Sequence, residues 1–214
     1  MEFWVFGLLA LLAVLIFSRR RIYQEWQSIR SDSKGWLKKI WKEWGEPFLV
    51  AALIALVIRS FILGPYKIPT GSMRSTLLEG DRIFVDKVTY RFRLPKRGEV
   101  IVFKYPMDPK KDFVKRLIAF AGEEVEIRDG SVYIDGKRQV ELDGVPSPYY
   151  YNRNDWSFGK EGQRFPVPAD SFFVLGDNSA HSSDSRYWGF VPRKNLIGRA
   201  FLIWWPFNRV SLVD

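Results

Sequence analysis

Two apolar segments near the start of the chain constrain its fold more than any other feature. Residues 3–17 form an unbroken apolar run, and residues 48–63 form a second run in which only Arg59 and Ser60 are polar. At ~1.5 Å per residue, a helix over the first run spans roughly 22 Å, which is short of a typical bilayer core of about 30 Å. Arg59 lies near the end of the second run, from where its side chain can reach the headgroups. We predict transmembrane helices over residues 1–18 and 47–64.

Each apolar segment has an alternative to a transmembrane helix. A cleavable signal peptide carries positive charge before its apolar stretch, but here only Met1 and Glu2 precede the run and Arg19, Arg20 and Arg21 follow it. No small-x-small cleavage site follows either, which favours a retained anchor. For the second segment, the alternative is a helix buried in the core of a folded domain.

The loop between the two segments, residues 19–46, predicts how the chain is oriented. It holds eight Lys and Arg residues against four acidic ones. Short basic loops remain in the cytoplasm, so everything after Leu63 is expected on the extracytoplasmic face. Five apolar residues of this loop share one helical face, typical either of an interfacial helix or of a small helix packed on protein: Trp36, Leu37, Ile40, Trp41 and Trp44.

The chain after residue 65 has the pattern of antiparallel β-structure. Short β-rich runs at residues 82–85, 100–103 and 172–175 are bounded by Gly, Pro and Asp. Asp129-Gly130 separates two alternating runs, which is a strong hairpin signal. We predict a mainly β fold with an antiparallel β-sheet core at 65–121 and 169–214. The turn-rich stretch 122–168 is expected to form an inserted β-rich lobe.

Composition excludes several kinds of site. The chain has no cysteine and one histidine, His181, so there is no disulfide framework, and a Ser-His-Asp triad would need that residue. We expect no metal and no cofactor. The net charge of +9 suggests nucleic acid or anionic lipid as partners. Much of this excess lies in the basic loop, and no basic-aromatic motif follows it, so nucleic acid is not an expected partner.

Three blocks carry residues suited to catalysis. Ser72 follows a glycine in the block 68–73, and a serine nucleophile needs a base. Lys115 shares its predicted strand face with Phe113 and Leu117, and burial there would lower its pKa, whereas neighbouring Arg116 cannot release its proton. The third block, 176–186, is dense in small polar residues. Each block alone also fits a structural role: a turn cap, an edge strand with solvated cations, or a surface loop.

Taken in order, these blocks resemble the signature motifs of bacterial type I signal peptidases. The matching stretches are Ile68-Pro69-Thr70-Gly71-Ser72-Met73, Phe113-Val114-Lys115-Arg116, Gly176-Asp177-Asn178, Ser182-x-Asp184-Ser185-Arg186 and Gly198-Arg199-Ala200. The resemblance extends from the second apolar segment to the end of the chain, and the two-anchor layout is similar to that of the Gram-negative members. One departure is Ser179, which stands where the family usually has arginine.

The resemblance implies a role for each matching residue. Ser72 would be the nucleophile and Lys115 the general base, with Ser182 orienting the lysine by a hydrogen bond. Thr70 would supply a hydroxyl that helps the Ser72 N–H form the oxyanion hole. Arg116, Asp184 and Arg186 would be structural, as an ion-pair group. The shallow substrate pockets would be lined by Tyr66, Ile68, Pro69, Leu77, Phe113 and Val114.

The function implied is that of a serine endopeptidase that cleaves N-terminal signal peptides from exported preproteins after small-x-small motifs, through an acyl-enzyme. Such an enzyme is a multi-pass protein of the bacterial plasma (inner) membrane with its catalytic domain outside the cytoplasm. Its partners would be preproteins, membrane lipid and, by proximity, the secretion translocon. Two alternatives stay open: a Ser-Lys protease of the self-cleaving repressor type, and a membrane-anchored β-domain that binds anionic lipid or an envelope partner without catalysis.

Overall fold

The computed structural model describes residues 33–139 and 149–213. The predicted first transmembrane helix and residues 19–32 of the basic loop lie outside the described residues. Contacts along the chain divide it into two units, residues 1–56 and 57–214, and each is described by itself.

The first unit is helical throughout its described part. Helix α1 covers Ser33–Ile40, a π-helical turn covers Trp41–Gly45, and α2 covers Glu46–Val57. The apolar side chains Leu37, Trp41 and Trp44 on the predicted amphipathic face are exposed.

The helical backbone continues through a second π-helical turn at Ile58–Ile62. Lys34–Ile62 therefore forms one helix of 29 residues with a mean hydropathy of 1.9, long and apolar enough to cross a membrane. None of its most apolar window is buried, unlike a core helix. The helix stops two residues before the predicted end, because Leu63 is extended and Pro65 disfavours helical backbone before it.

The described part of the second unit contains twelve strands and two short α-helices. The strands are β1 Leu63–Lys67, β2 Arg82–Asp86, β3 Val100–Lys104, β4 Asp112–Phe120, β5 Glu124–Arg128, β6 Ser131–Ile134, β7 Lys137–Arg138, β8 Arg164–Pro166, β9 Ser171–Leu175, β10 Val191–Pro192, β11 Leu196–Trp205 and β12 Ser211–Leu212. The helices are α3 Thr89–Phe92 and α4 Ser185–Trp188.

The larger sheet has eight strands in the order β1-β2-β11-β3-β4-β9-β10, with β12 paired to β11. The pairings between its strands are antiparallel, which confirms the predicted mainly β, antiparallel architecture. The predicted β-runs at 82–85, 100–103 and 172–175 fall within β2, β3 and β9.

The smaller sheet has the order β7-β6-β5-β8 and is also antiparallel. Its β5–β6 hairpin turns at Asp129 and Gly130, whose φ angles of 50° and 69° are those of a two-residue hairpin turn, as the sequence predicts. This sheet lies within the predicted lobe 122–168. The limits of that lobe and of the core segments remain predictions.

Buried apolar side chains fix the chain on both sides of Ser72. One cluster contains Ile68 and Met73, on either side of the Thr70–Ser72 segment, together with Ile83 and Val85 of β2. Met73 is only 1% exposed. Because both flanks are fixed in the core, the Gly71–Ser72 turn between them is held in one position.

Candidate active site

Ser72 lies in a 3₁₀ turn, Gly71–Met73, that is held by the polar loop after β9. The backbone N–H of Asn178 donates to the Ser72 carbonyl oxygen at 3.0 Å. The Asn178 side-chain amide donates to the Gly71 carbonyl oxygen at 2.8 Å. Asn178 therefore fixes the backbone of the turn that carries the serine hydroxyl, a role that the sequence did not assign to it.

Lys115 reaches this serine from β4. Its Nζ lies 2.8 Å from Ser72 Oγ and donates to the Val114 carbonyl oxygen at 2.9 Å. The residue is only 3% exposed. Burial lowers the pKa of Lys115 from 10.5 to about 8, and the carboxylates of Asp184 and Asp177 oppose this shift. A buried amine beside a hydroxyl is a pairing of base and nucleophile.

Arg116, the next residue on β4, forms a fully buried ion pair with Asp177. Its Nε and Nη2 donate to the two carboxylate oxygens at 2.9 and 2.8 Å. The Thr76 hydroxyl also donates to Asp177, at 2.6 Å. The sequence prediction grouped Arg116 with Asp184 and Arg186 and did not include Asp177. The structure assigns Asp177 as its ion-pair partner. This pair joins β4 to the loop after β9, and the Thr76 hydroxyl links both side chains to the segment after Ser72.

Asp184 and Arg186 form a second fully buried ion pair, with bonds from Nε and Nη2 of 2.9 and 2.8 Å. Asp184 also accepts a bond from the Gly176 N–H at 3.1 Å, which closes the loop 176–186. Ser179, the departure from the family pattern, is buried, and its hydroxyl oxygen accepts bonds from Arg186 and from the Tyr151 N–H. The Ser179 hydroxyl thus links the loop to the segment 149–152.

Ser182 does not make the predicted hydrogen bond to Lys115. Its Oγ is buried and has no hydrogen-bond partner among the described residues, while the lysine amine contacts Ser72 and the Val114 carbonyl. Gly176 lies between Ser182 and the turn that carries Ser72. A Cβ on Gly176 would contact Ser182 and would lie 2.5 Å from the Ser72 carbonyl oxygen. The site therefore packs around a position that only glycine fits.

A groove of about 270 Å³ opens in front of Ser72 and Lys115. Five of the six predicted pocket residues line it: Tyr66, Ile68, Pro69, Phe113 and Val114. The prediction for Leu77 is wrong, because its N–H bonds back to the Met73 carbonyl and its side chain is fully buried in the core. Thr70 and the exposed His181 also line the groove.

The groove lies between two strands whose edges are open to a peptide. β1 is the first strand of its sheet, and β4 pairs with β9 only from Arg116 onward. Burial and the neighbouring carboxylate of Asp112 raise the pKa of Tyr66 to about 12, so its hydroxyl stays neutral. The open edges of β1 and β4 allow an extended peptide to bind along them by main-chain hydrogen bonds.

Within residues 33–139 and 149–213, no group of three or more His, Asp or Glu side chains is placed to hold a metal ion.

Comparison with known proteins identifies the class to which this site belongs. Residues 41–205 match the family described as signal peptidase, peptidase S26, and the chain belongs to that family. It is 41% identical to "Probable signal peptidase I-2" of Synechocystis sp., over 81% of this chain and 77% of that protein. It is 34% identical to "Signal peptidase I" of Pseudomonas fluorescens, over 98% of this chain and 95% of that protein. A crystal structure of a signal peptidase I from Enterococcus faecalis aligns over 50% of this chain and 97% of its own, with 32% identity and a TM-score of 0.40.

Proposed function

We propose that this chain is a serine endopeptidase that removes N-terminal signal peptides from exported preproteins, with Ser72 as nucleophile and Lys115 as general base. The family and its named signal peptidase relatives support the substrate class. The observation that carries the catalytic assignment is the 2.8 Å separation between Lys115 Nζ and Ser72 Oγ, with the amine buried and its pKa lowered to about 8.

Acylation begins with the neutral form of Lys115. As Ser72 Oγ attacks the scissile carbonyl carbon, its proton passes to Lys115 Nζ, and a tetrahedral intermediate forms. The intermediate then collapses as the C–N bond breaks. Lys115 returns the proton to the departing amine of the mature protein, and the signal peptide remains bound to Ser72 as an ester.

Hydrolysis of the ester uses the same groups. Lys115 takes a proton from water, the resulting hydroxide attacks the ester carbonyl, and the proton returns to Ser72 Oγ as the signal peptide leaves. In both steps we assign the oxyanion to the Ser72 N–H and the Thr70 hydroxyl. Loss of one such donor costs roughly 3–4 kcal/mol in comparable enzymes.

The groove supports cleavage after small residues. An extended peptide between the open edges of β1 and β4 would direct alternate side chains toward its floor, which includes Ile68 and Met73. A shallow apolar floor suits alanine-sized side chains, which are the residues that end signal peptides.

Membrane anchoring completes the proposal. Lys34–Ile62 is long and apolar enough to span a bilayer, and only residues 63–71 separate it from Ser72. A signal peptide is held in the same membrane by its own apolar region, so a short tether keeps enzyme and substrate near one depth. We place the catalytic part on the extracytoplasmic face of a bacterial plasma membrane, close to the secretion translocon, with residues 1–18 as the other anchor.

The test is cleavage of a purified preprotein by the full chain in detergent, followed by sequencing of the new N-terminus. We expect cleavage after a small-x-small motif by the native chain and none by Ser72→Ala or Lys115→Met. His181→Ala is the matched control, because His181 lines the same groove and is the only histidine, and this variant should retain activity. Loss of activity in His181→Ala together with retention in Lys115→Met would assign the base to histidine instead.

A further inference from the structure

Three consecutive tyrosines of the second unit alternate between exposed and buried positions. Tyr150 is buried in an apolar core cluster, whereas Tyr149 is 60% exposed and Tyr151 is 52% exposed. The two outer rings contact each other edge to face, with their centroids 5.1 Å apart. We call Tyr149 and Tyr151 the tyrosine pair. Neighbouring large aromatic side chains on a folded surface mark an interaction site more often than scattered single ones.

The tyrosine pair is held in place by contacts on both of its members. The Tyr151 N–H donates to the Ser179 hydroxyl oxygen at 2.9 Å, and the Tyr151 carbonyl oxygen accepts a bond from Arg186 Nη1 at 2.8 Å. The ring of Tyr149 packs on the backbone of Gly130, where a Cβ would overlap it. Because the pair is already ordered, it loses little conformational entropy when it binds a partner.

The surface of the tyrosine pair is continuous with the groove. Ser179, whose hydroxyl holds Tyr151, begins a 3₁₀ turn that ends at His181. Ala180 lies between them and is exposed, and His181 is exposed and lines the groove. One short turn of the chain therefore connects the tyrosine pair to the rim of the groove.

This turn lies at the catalytic end of the groove. Asn178, directly before it, fixes the backbone of the turn that carries Ser72. The opposite end of the groove begins at Tyr66 and Asp112, and from there the lining segments run along the chain toward Ser72 and Lys115. In the proposed function this groove holds the residues before the cut. The substrate chain after the cut therefore leaves past Ser72, on the side of the tyrosine pair.

We propose that the tyrosine pair binds the first part of the mature region of the preprotein, in extended conformation, after the chain has passed Ser72. Tyrosine rings offer contact area to the main chain and side chains of many sequences, while their hydroxyls stay in water. Such a contact suits substrates that share a cleavage motif and differ after the cut. The inference rests on the proposed function, because it names the part of the substrate that is bound outside the groove.

The test is the binding of an N-terminally labelled preprotein to the full chain in detergent, measured by fluorescence anisotropy in a Ser72→Ala background. A second labelled substrate ends two residues after the cut. Tyr149→Ala/Tyr151→Ala is compared with Tyr149→Phe/Tyr151→Phe and with Tyr187→Ala, which removes an exposed tyrosine outside the pair. Cleavage of the same preprotein by the native chain is recorded in parallel.

We expect the double alanine variant to bind the preprotein about fivefold or more weakly, and to bind the truncated substrate as the parent does. Unchanged binding of the truncated substrate also shows that the groove is intact. The double phenylalanine variant and Tyr187→Ala should bind both substrates like the parent, because the rings of the pair remain.

Two results would overturn the inference. The first is equal binding of the preprotein by the parent and the double alanine variant. The second is an equal loss of affinity for both substrates, since the effect would then act through the groove. In either case, cleavage by the native chain would leave the proposed function intact. The expected binding pattern without any cleavage would refute the proposed function and leave binding of the mature region standing.

Discussion

Replacing Lys115 with methionine should stabilise the protein at neutral pH, although it removes the proposed base. Folding lowers the pKa of this amine from 10.5 to about 8, mainly by burial. At about 1.4 kcal/mol per pH unit, a buried ammonium costs the folded state about 3 kcal/mol wherever both states are protonated, which is below pH 8. In a Ser72→Ala background the substitution also removes the bond to the Val114 carbonyl, at about 1 kcal/mol. The net gain at pH 7 is therefore about 2 kcal/mol.

The difference in stability between the lysine and methionine forms depends on pH, because the pKa of Lys115 is lower in the folded state. Between pH 8 and 10.5 the unfolded chain binds the Lys115 proton and the folded chain does not, so the lysine form gains stability as the pH rises. By pH 10 most of the cost is recovered, and the advantage of methionine should fall to about zero.

The assay is urea unfolding of the full chain in one detergent at pH 7 and pH 10, comparing Ser72→Ala with Ser72→Ala/Lys115→Met. Lys137→Met in the same background is the matched control, since Lys137 is exposed and its substitution should change neither value by a measurable amount. The two proteins in each comparison differ at one side chain, so the contributions of the other titrating groups cancel in the difference between their free energies of unfolding. A methionine effect that is the same at both pH values would refute the argument that Lys115 is buried with a lowered pKa.

Three further predictions follow from the same site. The kcat/KM for preprotein cleavage should rise about tenfold per pH unit below pH 8 and level off above it, because only neutral Lys115 is active; a profile flat from pH 6 to 9 would contradict this. Gly176→Ala should abolish cleavage, since its Cβ would lie 2.5 Å from the Ser72 carbonyl oxygen; near-native activity with a native circular dichroism spectrum would show that the site tolerates a side chain there. Asp177→Asn should destabilise the protein by about 3–5 kcal/mol in urea unfolding, because it removes the carboxylate charge that faces the buried Arg116, whereas Asp155→Asn, in an exposed ion pair, should cost under about 1 kcal/mol; equal effects would contradict the burial argument.

Local patterns predicted much of the fold because they depend on neighbouring residues. Alternation on either side of Asp129-Gly130 identified the β5–β6 hairpin, and the apolar run 48–63 identified the helix that ends at Ile62. The end of the helix was placed two residues late. The apolar run continues through Leu63, but Leu63 already pairs with Asp86 as the first residue of β1. This contact spans 23 positions of the chain, and a hydropathy pattern describes only neighbouring residues.

Contacts within the site were harder to predict, for the same reason. Ser72 and Lys115 are 43 positions apart, and the family motifs, rather than any local pattern, brought them together. Which carboxylate pairs with Arg116 depends on how the loop after β9 folds, and that loop presents Asp177. Leu77 was assigned to the pocket by motif position, but the turn after Ser72 directs it into the core. Asn178 belongs to the block 176–186, which the sequence analysis identified by its density of small polar residues. Its position in that block was the available signal that it fixes the backbone of the Ser72 turn.

The covalent intermediate on Ser72 is the step on which the proposed mechanism depends most. The most direct measurement is acid quenching of the full chain during steady-state preprotein cleavage, followed by proteolysis and mass spectrometry of the serine-bearing peptide. We expect an adduct on Ser72 with the mass of the signal peptide attached as an ester, and we expect this adduct to be absent from Lys115→Met. An adduct that maps to any other side chain, while the preprotein is being cleaved, would contradict the proposed mechanism.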